Sequence, residues 1–266
     1  VAQAAHFADT VVSYSSGATY QSPATFDPNF VPPAGAVDQS YTNPSAALGG
    51  LNPDTGFGAL TPFNAAFSNT DLVGIGAGGE LTVHLASTAA TTGKTLGIHA
   101  GVGLIDGDYP NGTNLSPAFP YTTPRAAEVL VSEDNITYYS LGVQPFDIPS
   151  NYYSQGITTP GNPTVSGTLV EADFNKPFNG TLDSFDGETW PQMLSTLDGS
   201  AGGTWLDLSG LPISGVNYVE FKADNLNDTT YIDAVVVSDA PSAVPEPASL
   251  AVLATGAAVL LLRRRR

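Results

Sequence analysis

Tyr231-Ile232-Asp233-Ala234-Val235-Val236-Val237 sets one carboxylate in an otherwise apolar run. Burying a carboxylate is costly unless it is paired, hydrogen-bonded or bound to a metal. Asp233 therefore reads either as a hard oxygen ligand for a cation or as an acceptor of backbone N–H groups at a strand edge or bulge. Asp106-Gly107-Asp108 is a second acidic pair; it lacks the spaced acidic pattern of an EF-hand and reads as a solvated loop. His6, His84 and His99 are the only histidines, and none has the paired local spacing of a zinc site. The chain has no cysteine, which removes thiolate metal sites and cysteine chemistry. No G-x-S-x-G or other nucleophile context supports a Ser-His-Asp arrangement. The 25 acidic residues offer many carboxylate pairs for glycoside cleavage, but spacing distinguishes none of them.

Aromatic side chains offer a different chemistry, flat apolar faces for sugar rings. Tyr152-Tyr153 sits in a polar loop and is expected to be exposed. Trp190 fits a ligand surface or a core equally well. Trp205 lies in a regular alternating segment and is expected in the core.

The elements that would position these residues read as strands. Leu81, Val83 and Leu85 alternate with Glu80, Thr82 and His84, the pattern of a half-buried strand, so His84 should face solvent or a partner sheet, and His99 likewise. Ala127–Val131 and Thr137–Leu141 flank Ser132-Glu133-Asp134-Asn135 as the clearest hairpin. Asp71–Ile75 and Glu80–Leu85 flank Gly76-Ala77-Gly78-Gly79, a hairpin or bulged connection. Thr95–Ala100, Leu169–Phe174, Gly203–Leu208 and Tyr218–Asp224 add further strands, and Tyr231–Val237 reads as central because both its faces are apolar. Residues 20–70 hold seven prolines and read as loop; the islands 46–49 and 57–60 would dock on the core. Residues 143–168 and 176–203 read as long insertions, with no amphipathic helix in the body.

Without the four terminal arginines, four basic residues stand against 25 acidic ones, a formal charge of −21. That excludes ordinary nucleic-acid binding, which needs a basic surface, and argues against peripheral binding to anionic lipid. Only 12% of residues are charged, while 28 Gly and 21 Pro supply turns. Few charges and many turn formers and β-branched residues fit one all-β domain with long polar loops.

The C-terminus is a different kind of sequence. Pro245-Glu246-Pro247 is followed by LAVLATGAAVLLL and then by Arg263, Arg264, Arg265 and Arg266. The arginines should remain on the cytoplasmic side of a membrane, with the body outside. From Ser249 to Leu262 is 14 residues, about 21 Å of helix against a hydrocarbon core of roughly 30 Å. Such a span suits a transient signal better than a permanent anchor. This tail resembles the PEP-CTERM sorting signal of bacteria that make extracellular polysaccharide. The resemblance implies a membrane enzyme, exosortase, as processing partner, removal of the tail, and a destination at the cell surface or in the extracellular matrix. At the other end Val1-Ala2-Gln3-Ala4 fits the close of a secretory signal peptide.

GELTVHL, EVLVSEDNITYYSLG, GGTWLDLSGL and YVEFKAD followed by YIDAVVV resemble the galactose-binding-like jelly-roll modules found in surface proteins with this tail. That resemblance implies two antiparallel sheets of about eight strands in all, with loops at the ends. In such sandwiches calcium often ties a terminal strand to loops near the domain start, so Ca2+ held by Asp233, with Asp224 and Asp54 as partners, is an expectation. The expected organisation is then a signal-peptide remnant (1–5), an all-β jelly-roll sandwich (6–238), a linker (239–243) and a sorting signal with a C-terminal hydrophobic helix (244–266). The expected function is structural or adhesive and not enzymatic, with contact to exopolysaccharide. The alternative is a secreted carbohydrate-active hydrolase or lyase using acidic loop residues.

Overall fold

The computed structural model describes residues 6–23, 25, 30–89, 95–120, 126–223 and 229–238. Five strands form one antiparallel array: β1 (His6–Ser15), β5 (Gly79–Ala89), β12 (Val216–Ala223), β7 (Ala126–Ser132) and β8 (Tyr138–Pro145) lie side by side in that order. A second array is centred on β13 (Thr230–Ser238), which pairs with β6 (Thr95–Ala100) and with β4 (Val73–Ile75), while β11 (Thr204–Asp207) extends it beyond β6. β1 joins the two. His6 and Phe7 pair with β13, and from Ala8 onward the strand pairs with β5, through register shifts. Such irregularities bend a strand and let it pass from one sheet to the other.

The alternation in β5 holds. Leu81, Val83 and Leu85 are fully buried and pack with Val129, Val131, Val219 and Phe221 of the first array and with Leu96, Ile98, Val235 and Val237 of the second. Burial of each such side chain contributes about 1.5–3 kcal/mol, and one shared cluster of both arrays defines an all-β, jelly-roll-like sandwich. The expected central strand is central: β13 is hydrogen-bonded on both sides and its residues 234–237 are completely inaccessible. The expected hairpin is β7–β8. Its turn is closed by Asp134, whose Oδ1 accepts from the N–H groups of Ile136 (2.9 Å) and Thr137 (2.8 Å).

Other expectations are corrected. Gly76–Gly79 does not close a hairpin, because β4 and β5 belong to different sheets and do not pair with one another. The tight crossing leaves no room for a side chain at Gly76 or Gly79: a Cβ on Gly76 would sit 2.2 Å from the Ala18 carbonyl oxygen, and one on Gly79 2.8 Å from the Gly76 carbonyl oxygen. Within residues 20–70, Ala47 and Leu60 dock on the core as expected and Leu51 does so beyond the first island, but Phe57 is exposed and its ring lies tilted against Phe67. The insertion-like stretches are structured. β9 (Tyr153–Ile157) and β10 (Val165–Glu171) form a separate antiparallel ribbon, and α1 (Trp190–Leu197) is a two-turn helix. Phe178, Phe185, Trp190, Met193 and Leu197 build a second apolar cluster around that helix. The expected C-terminal hydrophobic helix lies outside the described residues; among those described, no helix is long and apolar enough to cross a membrane.

Candidate functional site

Three segments distant in sequence meet beside the edge strand β11. The end of β8 and its continuation bring Gln144, Asp147 and Ile148, the loop before the second cluster brings Phe178, Asn179 and Thr181, and β11 brings Thr204 and Trp205. Between them lies an open cleft of about 370 Å³. Trp205 pairs across to Gly97, and Gly97 is small for a physical reason: a Cβ there would lie 2.8 Å from the indole ring. The indole N–H donates to the Gly202 carbonyl at 2.8 Å, which fixes the ring. Trp205 thus both packs on the second cluster, as expected, and lines the cleft. Phe178 beneath it is buried, whereas Asn179 and Thr181 on the rim are exposed.

Asp147 is the charged member of this cleft. Half-burial, opposed by a hydrogen bond from its own backbone and reinforced by the nearby charge of Asp183, holds its carboxyl above the usual carboxylate range. Nothing in its local sequence marks it. A half-buried aromatic, side-chain amides and hydroxyls, and a carboxylate whose ionisation is disfavoured suit a hydroxyl-rich ligand with an apolar face.

The residues singled out from sequence are not assembled into one site. Trp190 is 4% exposed and donates its indole N–H to the Ile157 carbonyl at 2.9 Å; it is a core residue because the helix it begins turns its apolar side inward. Tyr152 and Tyr153 are half-buried: Tyr152 packs edge-on against Tyr153 and Phe174, and the pair bridges the two smaller clusters. His84 faces outward and pairs with Asp9 at 2.8 Å, as its alternation implied. His99 does not. It is fully buried, which pushes its pKa down to about 4, and its Nδ1 shares a 3.0 Å hydrogen bond with Ser150 Oγ while Nε2 has no hydrogen-bond partner. A Ser–His pair sealed in this way has neither an orienting carboxylate nor access to substrate.

Asp233 is 4% exposed and stands where the β13–β6 register shifts, between Ile232 and Ala234. Burial and, secondarily, the charge of Asp71 hold its carboxyl well above the ordinary range. Asp54 lies in a surface hollow of about 270 Å³ that it shares with Asn52 and Asp71. There Asp71 accepts from Asn52 Nδ2 at 3.1 Å and Asp54 accepts from the Gly56 N–H at 2.9 Å. The carboxylate beside Asp233 is therefore Asp71, and Asp224 lies outside the described residues. Calcium takes six to eight oxygens. Among the described residues no three His, Cys, Asp or Glu side chains gather to hold a metal ion, and Asp224, the third expected ligand, is not one of them. Asp106 braces its own loop, accepting from the N–H groups of Asp108, Gly112 and Thr113 at 2.9–3.0 Å.

An acidic all-β body with an aromatic-lined cleft defines an architecture, not a chemistry. Its address is more specific: residues 243–266, which include Pro245, Glu246, Pro247 and Arg263 to Arg266, match the PEP-CTERM protein-sorting motif. That motif supports an exported, cell-surface protein processed by an exosortase. No curated protein and no solved structure matches the chain.

Proposed function

We propose that the body is a non-enzymatic structural or adhesive module that contacts exopolysaccharide through the cleft beside Trp205. The observation that supports this reading is the composition of the cleft, an indole and a phenyl ring bordered by the side chains of Gln144, Asn179, Thr181 and Thr204. A pyranose offers an apolar face of C–H groups and a rim of hydroxyls, and this lining answers both. The strong negative charge of the body disfavours polyanionic ligands.

The test is calorimetric titration of the secreted, processed protein with the cell's own exopolysaccharide and a glycan panel. Saturable binding is expected, weakened at least about tenfold, or roughly 1.4 kcal/mol, by Trp205→Leu. Asn179→Ala, on the exposed rim, should weaken binding without changing the melt, which separates a lost contact from a lost fold. No binding to any glycan would overturn the proposal.

One observation favours a hydrolase instead. Asp147, its ionisation disfavoured, stands near a second carboxylate, Asp183, and glycosidases use such a pair as acid and base or nucleophile. Release of reducing ends from the polysaccharide, abolished by Asp147→Asn, would establish that activity.

A further inference from the structure

We infer that the ligand of the Trp205 cleft carries a cationic amine, as a hexosamine unit with a free amino group does and its N-acetylated or uronate counterparts do not. This rests on the reading of the cleft as a glycan site. Asp147 lines the cleft half-buried. Lys176 pairs with Asp198 and Lys222 with Glu220, and neither lysine serves Asp147. Among the described residues no Lys, Arg or His lines the cleft. Asp183, in the 3-10 turn Leu182–Phe185, adds a second negative charge close by.

One carboxylate lining the cavity, with a second close to it, disfavours an anionic sugar and rewards a positive one. Burial and Asp183 raise the proton affinity of Asp147; an ammonium group in the cleft would offset both effects. The indole supplies the complementary attraction, because a cation close to the face of an aromatic ring is drawn to the negative charge of its π-system. Trp205 lines the same cavity as Asp147, so one amine-bearing ring could meet an aromatic and a carboxylate together. A neutral acetamide would leave the carboxylates as they are.

The experiment compares glucosamine oligomers with N-acetylglucosamine oligomers of equal length, at one pH where the amines are protonated. Both are titrated into the processed protein and into Asp147→Asn, Asp183→Asn and Glu171→Gln. The free-amine oligomer is expected to bind at least tenfold more tightly. Asp147→Asn should erase that preference, and Asp183→Asn should reduce it. Glu171→Gln removes an exposed charge outside the cleft and should preserve the preference, which separates recognition from general attraction to an acidic protein. Equal affinities, tighter binding of the acetylated oligomer, or a preference that survives Asp147→Asn would overturn the inference while leaving the cleft as a glycan site. If neither oligomer binds but exopolysaccharide still binds through Trp205, the amine inference alone falls. If exopolysaccharide fails too, both readings fall.

Discussion

Burial acts in opposite directions on two ionisable groups in adjacent strands, raising the Asp233 carboxyl and pushing His99 down to about 4. Below the ordinary aspartate value of 3.8 both folded and unfolded chains hold the Asp233 proton. As pH rises toward the folded value, the unfolded chain releases a proton that the folded chain keeps, so this stability is lost with rising pH. For His99 the window is 6.5 to about 4: its contribution is present above pH 6.5 and lost as pH falls through the window, because the unfolded chain takes up a proton the folded one refuses. Asp233→Asn keeps the shape of the protonated acid and removes its titration. The variant is expected to melt above the parent at pH 8, with the gap closing toward pH 4, in melts run with calcium and with chelator. A variant that melts below the parent at pH 8, or a calcium-dependent rise that only the parent shows, would make the carboxylate a charged ligand.

At the scale of elements, the strands that were legible are those with one fixed face or two covered ones. β5, β12, β13 and the β7–β8 hairpin carry alternation or continuous apolar runs that only one register buries. α1 was illegible by periodicity because eight residues give barely two turns and Pro191 follows its first residue. A capping signal was nonetheless present: Thr189 and Gln192 form a reciprocal box, with the Thr189 N–H donating to Gln192 Oε1 at 2.9 Å. The cleft was illegible for another reason. Residues 144–148, 178–182 and 203–206 converge only through the packing of the second cluster, and no local spacing encodes that meeting. Trp205 looked like core because its strand alternates, and it is at once core and wall. Thr189→Ala should lower stability by about 1 kcal/mol in chemical denaturation. Because Trp190, Met193 and Leu197 pack in one cluster with Phe178, amide exchange should quicken across 178–197 before it does in β12 or β13. Unchanged exchange in that segment would show that the helix does not support the cleft wall.

For the whole molecule, the body and the tail have incompatible solvents. The body is acidic, with four basic residues outside the terminal cluster, and suits an aqueous exterior. Four adjacent arginines resist crossing a bilayer that the apolar stretch before them can enter. Pro245 and Pro247 exclude a helix running in from the body, and Pro247 suits the first turn of one that begins there. Replacing Pro245-Glu246-Pro247 with three alanines leaves the charge cluster and apolar stretch intact and permits a continuous helix through the junction. The expected product is a membrane-retained precursor of full length, seen by fractionation and intact-mass measurement, while the parent is recovered shortened from the surface or medium. Identical mass and location for both proteins would mean that the arginines and apolar stretch alone direct sorting, and that the proline-flanked glutamate is not what the enzyme reads.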